Sequence, residues 1–256
     1  LLVDYALQRQ VPTQADTDNP ALALLNAVLD AQAQLVSQWQ LLGFIHGVMN
    51  TDNMLLCGET IDYGPCAFMD AFNPDTVFSS IDHAGRYAYR NQPGIAHWNL
   101  ASLAQALVPV LHSDPEQAVA LAQAAVDTFS DRFLAAHTEG LNAKLGLTGQ
   151  QADDAGLIEQ LYALMAEEAT DFTLTFRRLA DLAHPEPGNP QDIGDLYTLP
   201  PAFDAWLAQW QSRLAREPGD PRARQAAMYR ANPVFIPRNH LVEAALTAAT
   251  DHGDFA

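Results

Sequence analysis

Apolar residues at three- and four-residue intervals, bracketed by capping residues, recur along most of this chain, and one short stretch breaks the rhythm. Asn19-Pro20 pairs an N-cap side chain with proline at the first helical position. Leu22, Leu25, Val28, Leu35, Trp39 and Leu42 then form a core-facing stripe that Gly43 stops. Further on, Trp98, Leu100, Leu103, Leu107 and Leu111 repeat helically, with Pro109 expected to kink or end the element. Asp114-Pro115 opens a helix expected to run to about residue 137, and a long one is expected over about 153–182. Residues 184–190 read as a linker, and helices over 201–216, 221–231 and 239–249 complete the set. The only strand-like texture lies at Met54-Leu55-Leu56-Cys57, where Gly58-Glu59 can turn the chain back through Thr60-Ile61 as a short hairpin. The fold class is therefore mainly α, with one short β-hairpin.

Composition narrows the partners. A hydrophobic fraction of 48% supplies a sizeable core, so wholesale disorder is excluded. The formal charge of −18 repels nucleic-acid phosphates and anionic membrane, so neither is expected as a partner. A divalent cation could still compensate locally for a bound triphosphate. Lys144 is the sole lysine and is expected on a solvated helix face or loop. Cys57 and Cys66 form no C-x-x-C pair and fit a reducing compartment. No apolar run approaches the roughly 20 residues that span a bilayer, and no targeting segment is visible, so a cytoplasmic location is expected. The opening Leu1-Leu2-Val3-Asp4-Tyr5 reads like the middle of an element, and the chain is expected to be a piece of a longer protein.

Chemistry concentrates between His46 and Gly64, where His46, Asn50, Asp52, Asn53 and Asp62 surround the short apolar strands. Hard cations such as Mg2+ take carboxylate and amide oxygens, usually one or two side chains plus substrate phosphates. A hairpin that folds Asp62 back beside Asn53 meets that demand, and Asp52 could accept a proton from an incoming hydroxyl. Turn chemistry explains an isolated N-T-D-N or D-Y-G-P equally well, since Asp and Asn bond local backbone. The pairing of the two across a hydrophobic hairpin, after a capped helix, is the stronger signal.

The run G-F-I-H-G-V-M-N-T-D-N-M followed by I-D-Y-G-P resembles the SelO family of kinase-like enzymes, once regarded as pseudokinases. The likeness extends through Phe68-Met69-Asp70-Ala71-Phe72, Gly85-Arg86-Tyr87-Ala88-Tyr89, Gln92-Pro93 and Trp98-Asn99-Leu100, and returns at residues 232–240. It implies a protein-kinase-like large lobe over residues 1–112 and a helical C-terminal region over 113–256, with a linker at about 184–200. It also implies AMPylation: transfer of AMP from ATP to Ser, Thr or Tyr hydroxyls of protein substrates, with the nucleotide flipped relative to ordinary kinases. Carried over, Asp52 would be the general base. Asn53 and Asp62 would hold Mg2+ or Mn2+, and Asp62 would contact the nucleotide phosphates through the metal.

Ordinary kinases read H-R-D-x-x-x-x-N, and His46 to Asn53 keeps the first and last members at that spacing. Val48 occupies the place of their catalytic Asp and cannot act as a base, which leaves Asp52. No lysine precedes the loop and no G-x-G-x-x-G occurs, so the chain alone is expected to be inactive. His46 is expected to brace the loop rather than ligate metal, and Cys57 and Cys66 to pack. Tyr87 and Tyr89, flanked by Arg86 and Arg90, read as packing residues. Asp70 reads as a group orienting the site or as a turn residue. Glu186, Asp192 and Asp195 read as a solvated linker. A conventional phosphotransferase, a non-catalytic helical binding module and, less readily, a two-carboxylate metal hydrolase are the alternative readings.

Overall fold

The side chain of Asn19 accepts a hydrogen bond from the Leu22 amide (3.1 Å), which starts a helix at Pro20. Gly43 closes that helix with φ of +70°, in space where a Cβ would stand 2.8 Å from the Phe172 ring. The computed structural model describes residues 1–12, 17–149, 151–184, 193 and 196–255. It is mainly helical, as the periodicity requires. Its helices are α1 (Leu2–Gln10), α2 (Pro20–Leu42), α3 (Gln92–Leu111), α4 (Pro115–Asp127) and α5 (Phe129–Leu145). They continue with α6 (Asp154–Glu167), α7 (Phe172–Ala183), α8 (Asp204–Leu214), α9 (Pro221–Ala231) and α10 (Asn239–His252). Among the described residues no helix is long and apolar enough to cross a membrane.

The chain divides into two compact units. The first comprises Leu1–Gln40, His46–Cys66 and Val77–Thr138. In it α3 packs along α4, and a ring ladder of His97, Phe129, Phe133 and His137 stacks α5 against α3. Arg132 ties α5 to α2 by donating to the Asn26 carbonyl (2.9 Å) and to Asp30 (2.8 Å). The second comprises Leu41–Ile45, Ala67–Thr76 and Glu139–Ala256. There β1 (Phe44–Ile45) pairs antiparallel with β2 (Ala67–Phe68), Phe44 opposite Phe68. In the same unit α7 packs on α9 and α6 on α8. The α6–α8 contact encloses an ion pair between Arg213 and Asp154 (2.6 Å).

Several boundaries depart from the sequence reading. The expected Met54–Ile61 hairpin contracts to one antiparallel bridge, Met54 opposite Thr60, with the Leu55 carbonyl taken by the Gln32 side chain and the Gly58 amide. The named sheet forms outside it. The helix expected to reach residue 137 breaks at Thr128, whose hydroxyl and amide both bond the Ala125 carbonyl, and resumes as α5. The one expected over 153–182 breaks at Ala169 (φ +47°), and Asp171 re-caps the chain by accepting from the Leu174 amide (2.7 Å). Pro109 ends α3 only two residues later, at Leu111. Residues 185–190 of the expected linker, with Glu186, Asp192 and Asp195, lie outside the described residues.

Lys144 reverses its expectation. It is 3% exposed, in the second unit, with its ammonium 4.1 Å from the centre of the Phe176 ring and 5.7 Å from that of Phe172. Aromatic faces attract a cation but replace little of its hydration. Burial accordingly pushes its pKa from 10.5 down to about 7. Between those values the unfolded chain binds more protons than the folded one. The penalty of burying the charge is therefore full below the folded pKa and fades as pH rises toward the unfolded one. Lys144→Met should raise Tm near pH 7, and its advantage over the parent should shrink by about pH 9.5. Thermal unfolding of both proteins across that range checks this, and a constant gap would show that Lys144 does not titrate in the fold.

Candidate active site

Side chains from two helices hold a loop that has almost no regular structure of its own. From α3, Gln92 Oε1 accepts the His46 amide (3.0 Å), and Asn99 Nδ2 donates to the Met49 carbonyl (2.9 Å). From α2, Gln32 Nε2 donates to the Leu55 carbonyl (2.5 Å), and Trp39 Nε1 donates to Thr60 Oγ1 (3.2 Å). All four side chains are buried, and the bonds of Gln92 and Asn99 form away from competing water. Glycines permit the close approach. Gly47 sits at φ +86°, where a Cβ would lie 2.7 Å from the Pro65 carbonyl oxygen. Gly58 sits at φ +73°, where a Cβ would meet Ala31 at 2.8 Å.

His46 braces the loop from inside. Its Nδ1 accepts from the Val48 amide (3.3 Å), so the proton sits on Nε2 and is donated to the Ile61 carbonyl (2.8 Å). Burial lowers its pKa below the ordinary 6.5, outweighing the opposing pull of the Ile61 carbonyl and the Asp62 charge.

This scaffold brings Asn53 to Asp62. Asp52 and Asn53 lie on a 3₁₀ turn, Thr51–Asn53, with Asn50 as its N-cap residue. Asn53 Nδ2 donates to the Val48 carbonyl (3.0 Å) and to Asp62 Oδ2 (2.9 Å). Asp62 adopts φ +56°, a left-handed conformation that Asp tolerates better than most residues. With its nitrogen committed twice, Asn53 keeps Oδ1 as its available atom, beside an exposed carboxylate. An amide oxygen and a carboxylate are the hard donors that Mg2+ takes, so the residues fit that cation. Among the described residues no three His, Cys, Asp or Glu gather as a metal cluster, so this pair would need substrate phosphates to complete a coordination shell. Asp52 is exposed and makes no hydrogen bond among the described residues. Beside the turn, Thr51 and Met54 join Val28, Gln32, Leu100 and Leu103 in lining a cavity of about 330 Å³.

Other candidates resolve plainly. Cys66 donates its thiol to the Tyr63 carbonyl (3.0 Å), and burial pushes its pKa up, so it stays protonated. Cys57 is also a free, half-buried thiol. Asp70, in the second unit, is paired with Arg238 (2.5 Å), which also bonds Asp171. Tyr89 is buried and exchanges bonds with Gln40: its hydroxyl donates to the Gln40 backbone carbonyl and its own carbonyl accepts from Gln40 Nε2. The sequence reading missed Gln32, Gln92 and Asn99 as supports. Gln92 and Asn99 stand seven residues apart, two helical turns, and that spacing of amides on an otherwise apolar face was the available signal.

The whole chain, residues 1–256, matches the family model described as "Protein adenylyltransferase SelO". Relatives named "Protein nucleotidyltransferase YdiU" include one from Rhodopseudomonas palustris (strain BisB5), 54% identical over 99% of the chain and 51% of the relative. Another, from Rhizobium johnstonii, is 50% identical over 100% of the chain and 51% of the relative. A third, from Bradyrhizobium sp. (strain ORS 278), is 52% identical over 100% and 52%. The chain thus spans about half the length of the curated relatives it matches.

The histidine brace carries its own expectation. His46→Phe keeps a ring but leaves the Ile61 carbonyl and the Val48 amide unpaired, a loss of about 1–3 kcal/mol in denaturant unfolding. Because the folded pKa is depressed, the parent should lose stability as pH falls below 6.5, where the unfolded histidine protonates first. The variant should lack that acid-dependent component.

Proposed function

Because the chain belongs to the SelO protein adenylyltransferase family, we propose that it carries the catalytic loop of an enzyme that transfers AMP from ATP to protein hydroxyls. The observation that carries the reading is the Asn53–Asp62 pair, 2.9 Å apart, with Asp52 exposed one residue before Asn53. Asn53 Oδ1 and the Asp62 carboxylate would hold Mg2+, or Mn2+, which when bound would neutralise triphosphate charge. Asp52 would take the proton of the incoming Ser, Thr or Tyr hydroxyl as its oxygen bonds to the α-phosphorus. The bond from that phosphorus to the bridging oxygen breaks, and pyrophosphate leaves. A protein-kinase-like large lobe is the fold this reading implies, with the nucleotide flipped relative to ordinary kinases. His46 and Asn53 keep the kinase spacing, while Val48 stands where those enzymes have their base.

The relatives are about twice as long as this chain. We take the chain as the half that supplies metal ligands and base, with the phosphate-gripping lysine in a lobe outside it. Lys144 does not fill that role, since its ammonium is packed against phenylalanine rings in the core. On this reading the chain alone has little activity.

Labelled ATP separates the alternatives. In the full-length protein, α-labelled ATP should label a protein acceptor and γ-labelled ATP should not. Transfer of γ-label alone would identify a phosphotransferase instead. Asp62→Ala should lower transfer about 10³-fold and Asp52→Asn about 10²–10⁴-fold, and chelation by EDTA should abolish it until Mg2+ is restored. Activity that survives all three treatments would sink the site assignment, and transfer of neither label would leave the helical binding module.

A further inference from the structure

Asp52 makes no side-chain hydrogen bond among the described residues, so its position is set by the backbone of the 3₁₀ turn alone. That turn is closed by the Asn53 amide donating to the Asn50 carbonyl (3.0 Å). Asn50 is exposed, and its side chain is no local cap for the turn. Instead its Oδ1 accepts from the Tyr87 hydroxyl at 2.6 Å, across 37 residues of sequence.

The segment that delivers this hydroxyl is itself braced. Asp82 accepts the Arg86 and Tyr87 amides, one with each carboxylate oxygen, both at 2.8 Å. Gly85, at φ +67°, turns the chain between them, and its carbonyl accepts from Asn91 Nδ2 (2.7 Å). The Arg86 guanidinium lies over the Tyr87 ring (5.6 Å) and the half-exposed Trp98 ring (5.0 Å). Immediately beyond, Tyr89 and Gln40 fasten the segment to α2. A tyrosine held at its amide, its ring and its hydroxyl has little freedom left, and the one hydrogen bond its side chain makes among the described residues is to Asn50, the N-cap of the turn that carries the proposed base.

We infer that Tyr87 is a positioning residue: through Asn50 it holds the Thr51–Asn53 turn, and with it Asp52, in the geometry that proton transfer requires. The inference rests on the proposed role of Asp52. It contradicts the packing role that a tyrosine in this segment suggests from sequence alone. Tyr87→Phe removes the single hydroxyl and keeps the ring between Arg86 and the turn. Mispositioning of a reacting group can cost up to about 10²-fold, and loss of one indirect restraint should lower kcat about tenfold. KM for ATP should stay within about twofold, because the metal ligands Asn53 and Asp62 keep their own bond.

Three measurements on the full-length protein decide it. Hydrogen–deuterium exchange should accelerate in a peptide covering residues 50–54 of Tyr87→Phe, while the thermal midpoint of the whole protein stays close to the parent. Unchanged exchange there overturns the positioning role whatever reaction the protein catalyses. Asn50→Ala should reproduce the kcat loss, and the double variant should be no worse than either single one. Additive losses, or an unchanged kcat in a protein that Asp52→Asn inactivates, overturn the link from Tyr87 to catalysis. An active Asp52→Asn protein overturns the reading on which the inference rests, and the exchange result distinguishes that failure from this one.

Discussion

Buried amide side chains are what the candidate site depends on. Helices α2 and α3 are made mainly of apolar side chains, yet each places amides at buried positions, and these bond the backbone of the loop at His46, Met49 and Leu55. A loop without ladder partners would otherwise bury unsatisfied amides and carbonyls, at about 1–3 kcal/mol each. The helices therefore act as a surrogate strand for it. No hairpin develops at Met54–Thr60. There the Leu55 carbonyl is held by the Gln32 side chain and the Gly58 amide, and a single bridge is what remains.

That arrangement sets what was readable from sequence. Helix existence was legible because capping and periodicity are local: Asn19 before Pro20 and Asp114 before Pro115 both accept the amides that N-cap residues should. The breaks at Thr128 and Ala169 were not, because the apolar repeat keeps its spacing across both positions, although Asp171 after Glu167-Glu168 was an available N-cap signal for the second. The proximity of Asn53 and Asp62 was legible, but through the wrong device. A hairpin was expected to fold one onto the other. What holds them is a histidine bridging Val48 and Ile61, a left-handed Asp62 and an amide shared with the Val48 carbonyl.

Lys144 marks the opposite limit. A single lysine in a chain of net charge −18 reads as a solubilising surface group, and residue frequencies support that reading. Its burial beneath Phe172 and Phe176 depends on α5 and α7 meeting in the second unit, a long-range contact with no local signature. Tyr87 is similar in kind. The 36 residues between it and Asn50 include glycines and prolines, which leaves the register of that contact undetermined until the fold is known.

The orientation of the Asn53 amide joins these observations to chemistry. Its nitrogen faces two acceptors, the Val48 carbonyl and the Asp62 carboxylate. A flipped amide would set an oxygen against both, so the hydrogen-bond network itself selects one rotamer. The consequence is a pair that presents oxygens only, Asn53 Oδ1 and the carboxylate of Asp62, with Asp52 adding another negative group next in sequence. In a chain already bearing −18, such a pair repels a triphosphate unless a cation lies between them. Net charge and local geometry thus lead to one requirement. On the proposed function, an acidic chain takes ATP through a metal, so metal binding and nucleotide binding would be coupled, each strengthening the other by the same free energy.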